Sequence, residues 1–394
     1  MTQSVIIPER ALAARAQRQR ALLVSVGEAS GDAMAGAVVD LLGERSFGLT
    51  GPALRGSGCH SVADLTGSAA MGLIDAARHA PKIAHATRKL LRRSRDEPPS
   101  AALLVGFSEV NAHVGAQLRK QGVRVLWYAP PQVWAWRASR VHSLHRSADH
   151  IACVLPFEQA IWARAGVATT FVGHPARETK TISRRAARDR LRLTPYAEVA
   201  ALMPGSRSAE VRRTLPAMLH AVSELRADRG AFDARIVLAP TLPAKVARWA
   251  EVTGQRLGVS ATRLSGKPLL SAFDVALVAS GTATLECALA GVPPVIVYRT
   301  GGLTQAVARR LLLVDHIGLP NLVLGRRAFP ELVQDDLTSS ALAQEASQVL
   351  DERPAYGAAI AELRHALQPT SAVRALGATP AERVASLIRS WLNA

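Results

Sequence analysis

The chain has 394 residues, 48% hydrophobic and 20% charged, which supplies enough apolar material for two domains with separate cores and argues against disorder. Its formal charge of +17 implies anionic partners, and an aromatic content of 4% with no zinc-finger or RNA-binding signature turns that choice from nucleic acid toward acidic lipid or phosphorylated substrate. Cys59, Cys153 and Cys287 are odd in number and far apart, so they read as free thiols of a reducing compartment. No uncharged run approaches the roughly 18 residues of a membrane-spanning helix.

In chain order, residues 1–20 form an Arg-rich extension, and the apolar run after it, Ala21 to Val26, is too short for a signal-peptide core. Ala21 to Val26 is a buried strand, followed by the turn Gly27-Glu28-Ala29-Ser30-Gly31-Asp32 and a helix from Ala33 to Leu42. Glu28 thus falls at a strand's carboxyl end, where open α/β sheets hold ligands. Arg78 to Arg95 carries seven Lys or Arg residues and no acid. Apolar residues recur there at helical spacing, and Pro81 is suited to begin a second helix. This basic amphipathic stretch fits an anionic membrane surface, or a surface helix with its apolar side on its own core. Ala101 to Val105 and Val123 to Tyr128 are further strands, and the loop after them holds Trp134 and Trp136 between prolines and Arg137. Loop tryptophans cover a cleft, stack on a sugar, or pin the loop to the core.

Ser183 to Arg192, with five Arg, reads as a connection, after which the pattern restarts. Val199 to Met203 is a strand and Pro204-Gly205-Ser206-Arg207 its ligand loop, with the Arg207 fork able to hold two phosphate oxygens. Val275 to Ala279 leads into Ser280-Gly281-Thr282-Ala283-Thr284-Leu285-Glu286, a strand, small-residue turn and helix start. Backbone N-H groups at such a turn lack helical partners and sit at the positive end of the helix dipole, so phosphate binds there without a Lys. Glu286, one turn further in, suits ribose hydroxyls. The expected domains are an extension over 1–20, a Rossmann-like domain over 21–182, a linker over 183–195, a second Rossmann-like domain over 196–368, and a C-terminal helix over 369–394 packing back on the first. Two such halves fit a nucleotide-sugar transferase with its cleft between domains, a sugar epimerase, or a periplasmic-type binding protein, the last disfavoured without a signal peptide.

Ten of these stretches, in order and at matching distances from Ala21 to Gln334, resemble the lipid-A-disaccharide synthase family. They include Gly27 to Asp32, Met71-Gly72, Trp134 to Arg137, Leu155 to Glu158, Gly173-His174, Pro204 to Val211, Ser280 to Glu286, Tyr298-Arg299 and Leu319 to Gly325. The resemblance implies an α/β fold of the GT-B type and inverting, metal-independent transfer at the inner face of the cytoplasmic membrane. No DxD pair is placed for a metal on the diphosphate, and no cofactor is expected, UDP-sugar being the donor. The implied substrates are UDP-diacylglucosamine and diacylglucosamine 1-phosphate, with the acceptor on the first domain, UDP on the second and Arg78 to Arg95 on anionic lipid. Residue by residue, the resemblance gives Glu28 as the first-loop acid, Arg207 as the arginine beside the leaving diphosphate, Ser280 to Thr282 as the phosphate turn, Glu286 as the ribose carboxylate and Asn321 as the late-loop asparagine.

One position departs from the family. Where the family carries an Asp as general base, an ungapped reading of Gly106-Phe107-Ser108-Glu109-Val110-Asn111 places Gly106, which cannot take a proton. Glu109, in the same loop, is the first replacement, with Glu28 and His113 as others. Gly106 also opens a second reading, a non-catalytic paralogue that binds UDP-sugar or acylated glucosamine phosphate. A third is another UDP-sugar enzyme such as a 2-epimerase.

Overall fold

A computed structural model describes residues 21–66, 73–134, 141–179, 181–263, 267–301 and 315–392. The chain forms two compact units, Met1–Pro175 with Pro369–Ala394, and Ala176–Gln368. The extension 1–20, Met71-Gly72, Trp136 and Arg137 lie outside the described residues.

The first unit is built on seven parallel strands: β1 (Leu22–Ser25), β2 (Ser46–Leu49), β3 (His60–Ala63), β4 (Ala101–Val105), β5 (Arg124–Tyr128), β6 (His150–Cys153) and β7 (Ala168–Phe171). Their spatial order is β3-β2-β1-β4-β5-β6-β7. Both faces are covered, which explains why β4 reads as an unbroken apolar run and β1 as one apart from Ser25, whose hydroxyl donates to Asn111. Leu23, Leu104 and Trp127 face one core layer with Leu90 and Trp162, while Leu22, Val24 and Leu103 face another. That second layer is completed by the C-terminal helix Pro380–Leu392, whose Val384, Ala385, Ile388 and Leu392 are buried in it. Arg383 fastens this helix by donating to the carbonyls of Val172, at 2.7 Å, and Gly377, at 2.9 Å.

The basic stretch is one helix, Leu73–Asp96, with Pro81 inside it rather than at the start of a second. From Ile83 onward its apolar side turns inward, burying Ala86, Leu90 and Leu91 in the unit's own core. Lys82, Arg88, Lys89, Arg92 and Arg95 remain exposed. The helix therefore offers cations to its surroundings along this part, while its apolar stripe is spent on the fold.

The second unit repeats the plan with β8 (Glu198–Met203), β9 (Phe232–Val237), β10 (Ser260–Thr262), β11 (Val275–Ala279), β12 (Pro294–Tyr298) and β13 (Glu331–Val333), all parallel, in the order β10-β9-β8-β11-β12-β13. The stretch 183–195, expected as a linker, contains the helix Arg184–Leu191, N-capped by Ser183, and falls within this unit. Burial of Arg188 is the reason. Its guanidinium donates to Asp274, at 2.6 Å, and to the carbonyls of Ala272, Thr194, Pro195 and Ala197. Asp274, fully buried, also accepts from the Val199 N-H at 2.8 Å and pairs with Arg353 at 3.1 Å and with Arg184. A single carboxylate thus ties the entry helix to the head of β8. Removing its charge leaves Arg188 buried and uncompensated, so Asp274→Asn is expected to cost about 3–5 kcal/mol in denaturant unfolding followed by circular dichroism.

Candidate active site

In an open parallel sheet the helices after two neighbouring strands leave on opposite faces where the strand order reverses, and the loops at those carboxyl ends part to form a crevice. In the first unit that point lies between β1 and β4. The loops there are Gly27-Glu28 and Gly106-Phe107, and they touch, since a Cβ on Gly27 would fall 2.3 Å from the Phe107 ring. Asn111 holds them from below. It is fully buried, accepts from Ser25 Oγ at 2.6 Å, and donates to the carbonyls of Ser25 and Val105, each at 3.2 Å, and of Gly106, at 2.9 Å.

Glu28 is exposed just ahead of the helix Ala29–Leu42, and its carboxylate makes no capping bond. Glu109 is exposed in the first turn of the helix Ser108–Lys120, and His113 is exposed one turn further along. Gly106 has φ +53°, in the left-handed region, and open space where a side chain would stand. Asp and Asn are the side-chain-bearing residues that enter this region most readily, so an aspartate fits the backbone at this position. Asp32 of the first loop has a different task. Buried, it accepts from the N-H groups of Gly51 at 2.7 Å and Ala53 at 2.7 Å, capping the short helix Pro52–Gly56.

The corresponding reversal in the second unit lies between β8 and β11. It brings Gly205-Ser206-Arg207 beside Ser280-Gly281-Thr282, the two loops expected to hold phosphate. Arg207 precedes the helix Ser208–Arg229, is largely exposed, and donates through Nη1 to Glu210 Oε1 at 2.9 Å. The other Glu210 oxygen accepts from the Ser206 and Arg207 N-H groups, each at 3.2 Å. This residue was missed in the sequence, although its place three positions after the N-cap is the spacing of a capping box. A phosphate approaching these amides meets Glu210 already on them. Ser280 and Thr282 carry no such carboxylate partner among the described residues, and Thr282 opens the helix Thr282–Leu289, whose first N-H groups have no intrahelical acceptor.

Ser280 Oγ donates to the Ile317 carbonyl at 2.7 Å, tying the turn to the late loop. Glu331 braces that loop by accepting from the N-H groups of Ile317 at 3.0 Å and Gly318 at 2.9 Å. Asn321 is fully buried there. It donates to Glu331 and to the Phe329 carbonyl, each at 2.8 Å, and accepts from the Ala328 and Phe329 N-H groups, each at 2.9 Å. Its amide is thus engaged in shaping the loop. Glu286 sits partly exposed on the helix Thr282–Leu289. Tyr298 ends β12 next to the Ser280 turn, where the Ser280 N-H donates to the Val297 carbonyl at 2.9 Å. Burial pushes its phenol up, the Glu210 carboxylate acts in the same direction and Arg207 opposes, so these groups share one electrostatic neighbourhood. Arg299 is committed to the backbone, donating to the carbonyls of Gln334 and Leu337.

Two parallel sheets with interleaved helices, each with a crevice at its strand-order reversal, define a two-Rossmann α/β protein of the GT-B type. The solved structures agree on the fold. Staphylococcus aureus MnaA with UDP aligns with a TM-score of 0.65 at 12% identity, covering 95% of this chain and 97% of that one. The Neisseria meningitidis UDP-GlcNAc 2-epimerase bound to UDP-GlcNAc gives 0.60 at 12% identity, covering 95% and 100%. The sequence relationship is more specific. The chain belongs to the lipid-A-disaccharide synthetase family, whose profile matches residues 22–372. The lipid-A-disaccharide synthase of Trichlorobacter lovleyi is 36% identical over 341 residues, covering 84% of this chain and 88% of its own, and that of Geobacter sulfurreducens is 36% identical over 343 residues, covering 85% and 88%. The protein is accordingly a glycosyltransferase of lipid A biosynthesis.

Glu158, in the Leu155-Pro156-Phe157-Glu158 stretch, holds the loop that carries Trp134. Its carboxylate accepts from Trp134 Nε1 and from the Leu155 N-H, each at 3.1 Å, and the Trp134 ring meets Phe157 edge-on at 5.1 Å. Trp134 is thus an anchor for its loop. Burial raises Glu158 to about 7, against hydrogen bonds from Trp134, Leu155 and Val154 that pull the other way. A folded value above the unfolded one means that the folded state holds the proton longer, so the associated stability is present below about pH 4.5 and is lost as pH rises to about 7. Thermal melts are expected to show a loss of roughly 3 kcal/mol across that window, and Glu158→Gln is expected to remove this component of the slope.

Proposed function

We propose that this protein joins UDP-2,3-diacylglucosamine to 2,3-diacylglucosamine 1-phosphate, with inversion, to give lipid A disaccharide 1-phosphate and UDP. The observation that carries the reading is the placing of Arg207 and the Ser280-Gly281-Thr282 turn after neighbouring strands at the β8/β11 reversal, in a chain of this family. The diphosphate binds at the head of the helix Thr282–Leu289 with the Arg207 fork beside it, and Glu286 takes the ribose hydroxyls. The acceptor hydroxyl attacks the anomeric carbon while a carboxylate at the β1/β4 reversal removes its proton. Charge building on UDP is stabilised by Arg207 and the oriented N-H groups. No cofactor enters, and transfer proceeds without added metal.

Glu109 is the base in this scheme, with Glu28 across the same crevice as its alternate. Glu109→Gln is expected to lower acceptor-dependent UDP release about 10²-fold or more while leaving the Kd for UDP unchanged, and unchanged turnover would remove Glu109 from the mechanism. Arg207→Ala is expected to weaken both. Gly106 motivates a second reading, a non-catalytic binder of the same ligands. UDP-sugar binding without UDP release, converted to release by Gly106→Asp, would establish it, and turnover of soluble unacylated UDP-sugar would point to an epimerase instead.

The working place in this reading is the cytoplasmic face of the cytoplasmic membrane. Among the described residues no helix is long and apolar enough to cross a membrane. The exposed cations of the helix Leu73–Asp96 hold the protein to anionic lipid electrostatically. Co-flotation with anionic vesicles is expected at low salt and lost at high salt, and binding that survives high salt would refute the electrostatic account.

A further inference from the structure

The carboxylate of Glu210 stands in a place suited to an external anion. Three donors converge on it at the head of the helix Ser208–Arg229: the Ser206 and Arg207 N-H groups, each 3.2 Å from one oxygen, and Arg207 Nη1, 2.9 Å from the other. Gly205 makes room for this fold-back. At its φ of +117° a Cβ would fall 2.6 Å from Glu210 Oε2 and 2.8 Å from the Glu210 Cβ. Thr214, buried one turn further along, sets its hydroxyl 2.8 Å from the Pro204 carbonyl and 3.0 Å from the Glu210 carbonyl, so loop and helix head are fastened to each other.

The charge of Glu210 acts beyond Arg207. Burial raises the Tyr298 phenol, and the Glu210 carboxylate adds to that rise, so its field reaches the end of β12. Val297, the neighbour of Tyr298, accepts from the Ser280 N-H at 2.9 Å. A diphosphate seated at the Ser280 turn therefore shares its surroundings with a fixed negative charge as well as with the Arg207 guanidinium. Glycosyl transfer changes what that charge does. The bond between the anomeric carbon and the β-phosphate oxygen breaks, its electron pair stays on the oxygen, and free UDP then carries about one more negative charge than the sugar ester. Repulsion from Glu210 is thus greater for the product than for the donor.

We propose that Glu210 sets the balance between donor and product at this site: it holds the Arg207 guanidinium in place for the UDP-sugar, and its charge keeps free UDP from being retained after transfer. The inference rests on the transferase reading and adds to it a residue that governs product release.

Glu210→Gln removes the charge and keeps a side-chain oxygen for the loop amides. Equilibrium binding is measured at about pH 8 and low salt, with UDP and with UDP-diacylglucosamine in detergent without acceptor. The variant is expected to lower the Kd for UDP about tenfold and that for the UDP-sugar by a smaller factor, and the difference is expected to shrink at high salt. Glu210→Asp, which keeps the charge, is expected to keep the wild-type ratio of the two constants. A Kd for UDP that is unchanged or raised in Glu210→Gln overturns the proposal and leaves Glu210 as a helix cap alone, and so does an equal factor for the two ligands. Thermal melts of both variants read the cap separately from the binding. If the wild type binds UDP and turns nothing over, the same shift upholds the charge effect while the transferase reading falls, and no binding of UDP to the wild type overturns both.

Discussion

Backbone N-H groups at the head of a helix must find an acceptor, and at the β8/β11 reversal two neighbouring helices meet that demand differently. After β8 the demand is met from within, because Glu210 folds back onto the Ser206 and Arg207 amides and holds the Arg207 guanidinium. After β11 the small residues Ser280, Gly281 and Thr282 bring no carboxylate of their own. The second helix head thus has no carboxylate on its first N-H groups among the described residues, while the first presents a guanidinium already held at one nitrogen. In the proposed reading, Arg207 engaged at Nη1 has its remaining fork positions for an oxygen of the diphosphate.

The first unit answers the same topology with carboxylates. Its two loops are locked together by the buried Asn111 amide and the contact of Phe107 with Gly27, so the exposed Glu28 and Glu109 stand on a stiff base. The left-handed backbone at Gly106 has open space beside it. The missing side chain is thus a difference of one residue on a backbone that would accept another. The chemistry of the position can change without the fold changing with it.

The doubled α/β plan was legible because the strands at the reversals are buried on both faces and read as apolar runs, Leu22 to Val26, Ala101 to Val105 and Val275 to Ala279. The turns that follow them carried the candidate ligand loops for the same reason. The short strands β2, β3, β10 and β13 were not legible. His60-Ser61-Val62-Ala63, for example, is an edge strand with one buried residue, and pairing rather than hydrophobic periodicity defines it. Pro81 sits inside a helix whose Ala86, Leu90 and Leu91 pack on the core, so tertiary burial outweighs a local break signal. The partner of Arg188 is Asp274, far away in sequence, and no local pattern in a run of five Arg foretells that one of them is buried. Asn321 was visible as a motif residue, yet its role in bracing a loop depends on Glu331, which only the fold brings to it.

The arrangement of the C-terminal helix has a consequence for biogenesis. The first unit is discontinuous: its core layer of Leu22, Val24 and Leu103 is closed by Val384, Ala385 and Ile388, while the second unit is one unbroken stretch between them. On the ribosome the second unit is complete before the last helix has been made. At ordinary elongation rates the amino-terminal sheet waits on the order of tens of seconds with part of one apolar face uncovered, Ala35, Val38 and Val39 covering the rest. The first half of the protein to be synthesised is the last to finish folding, and during that interval its open face is a surface for chaperones.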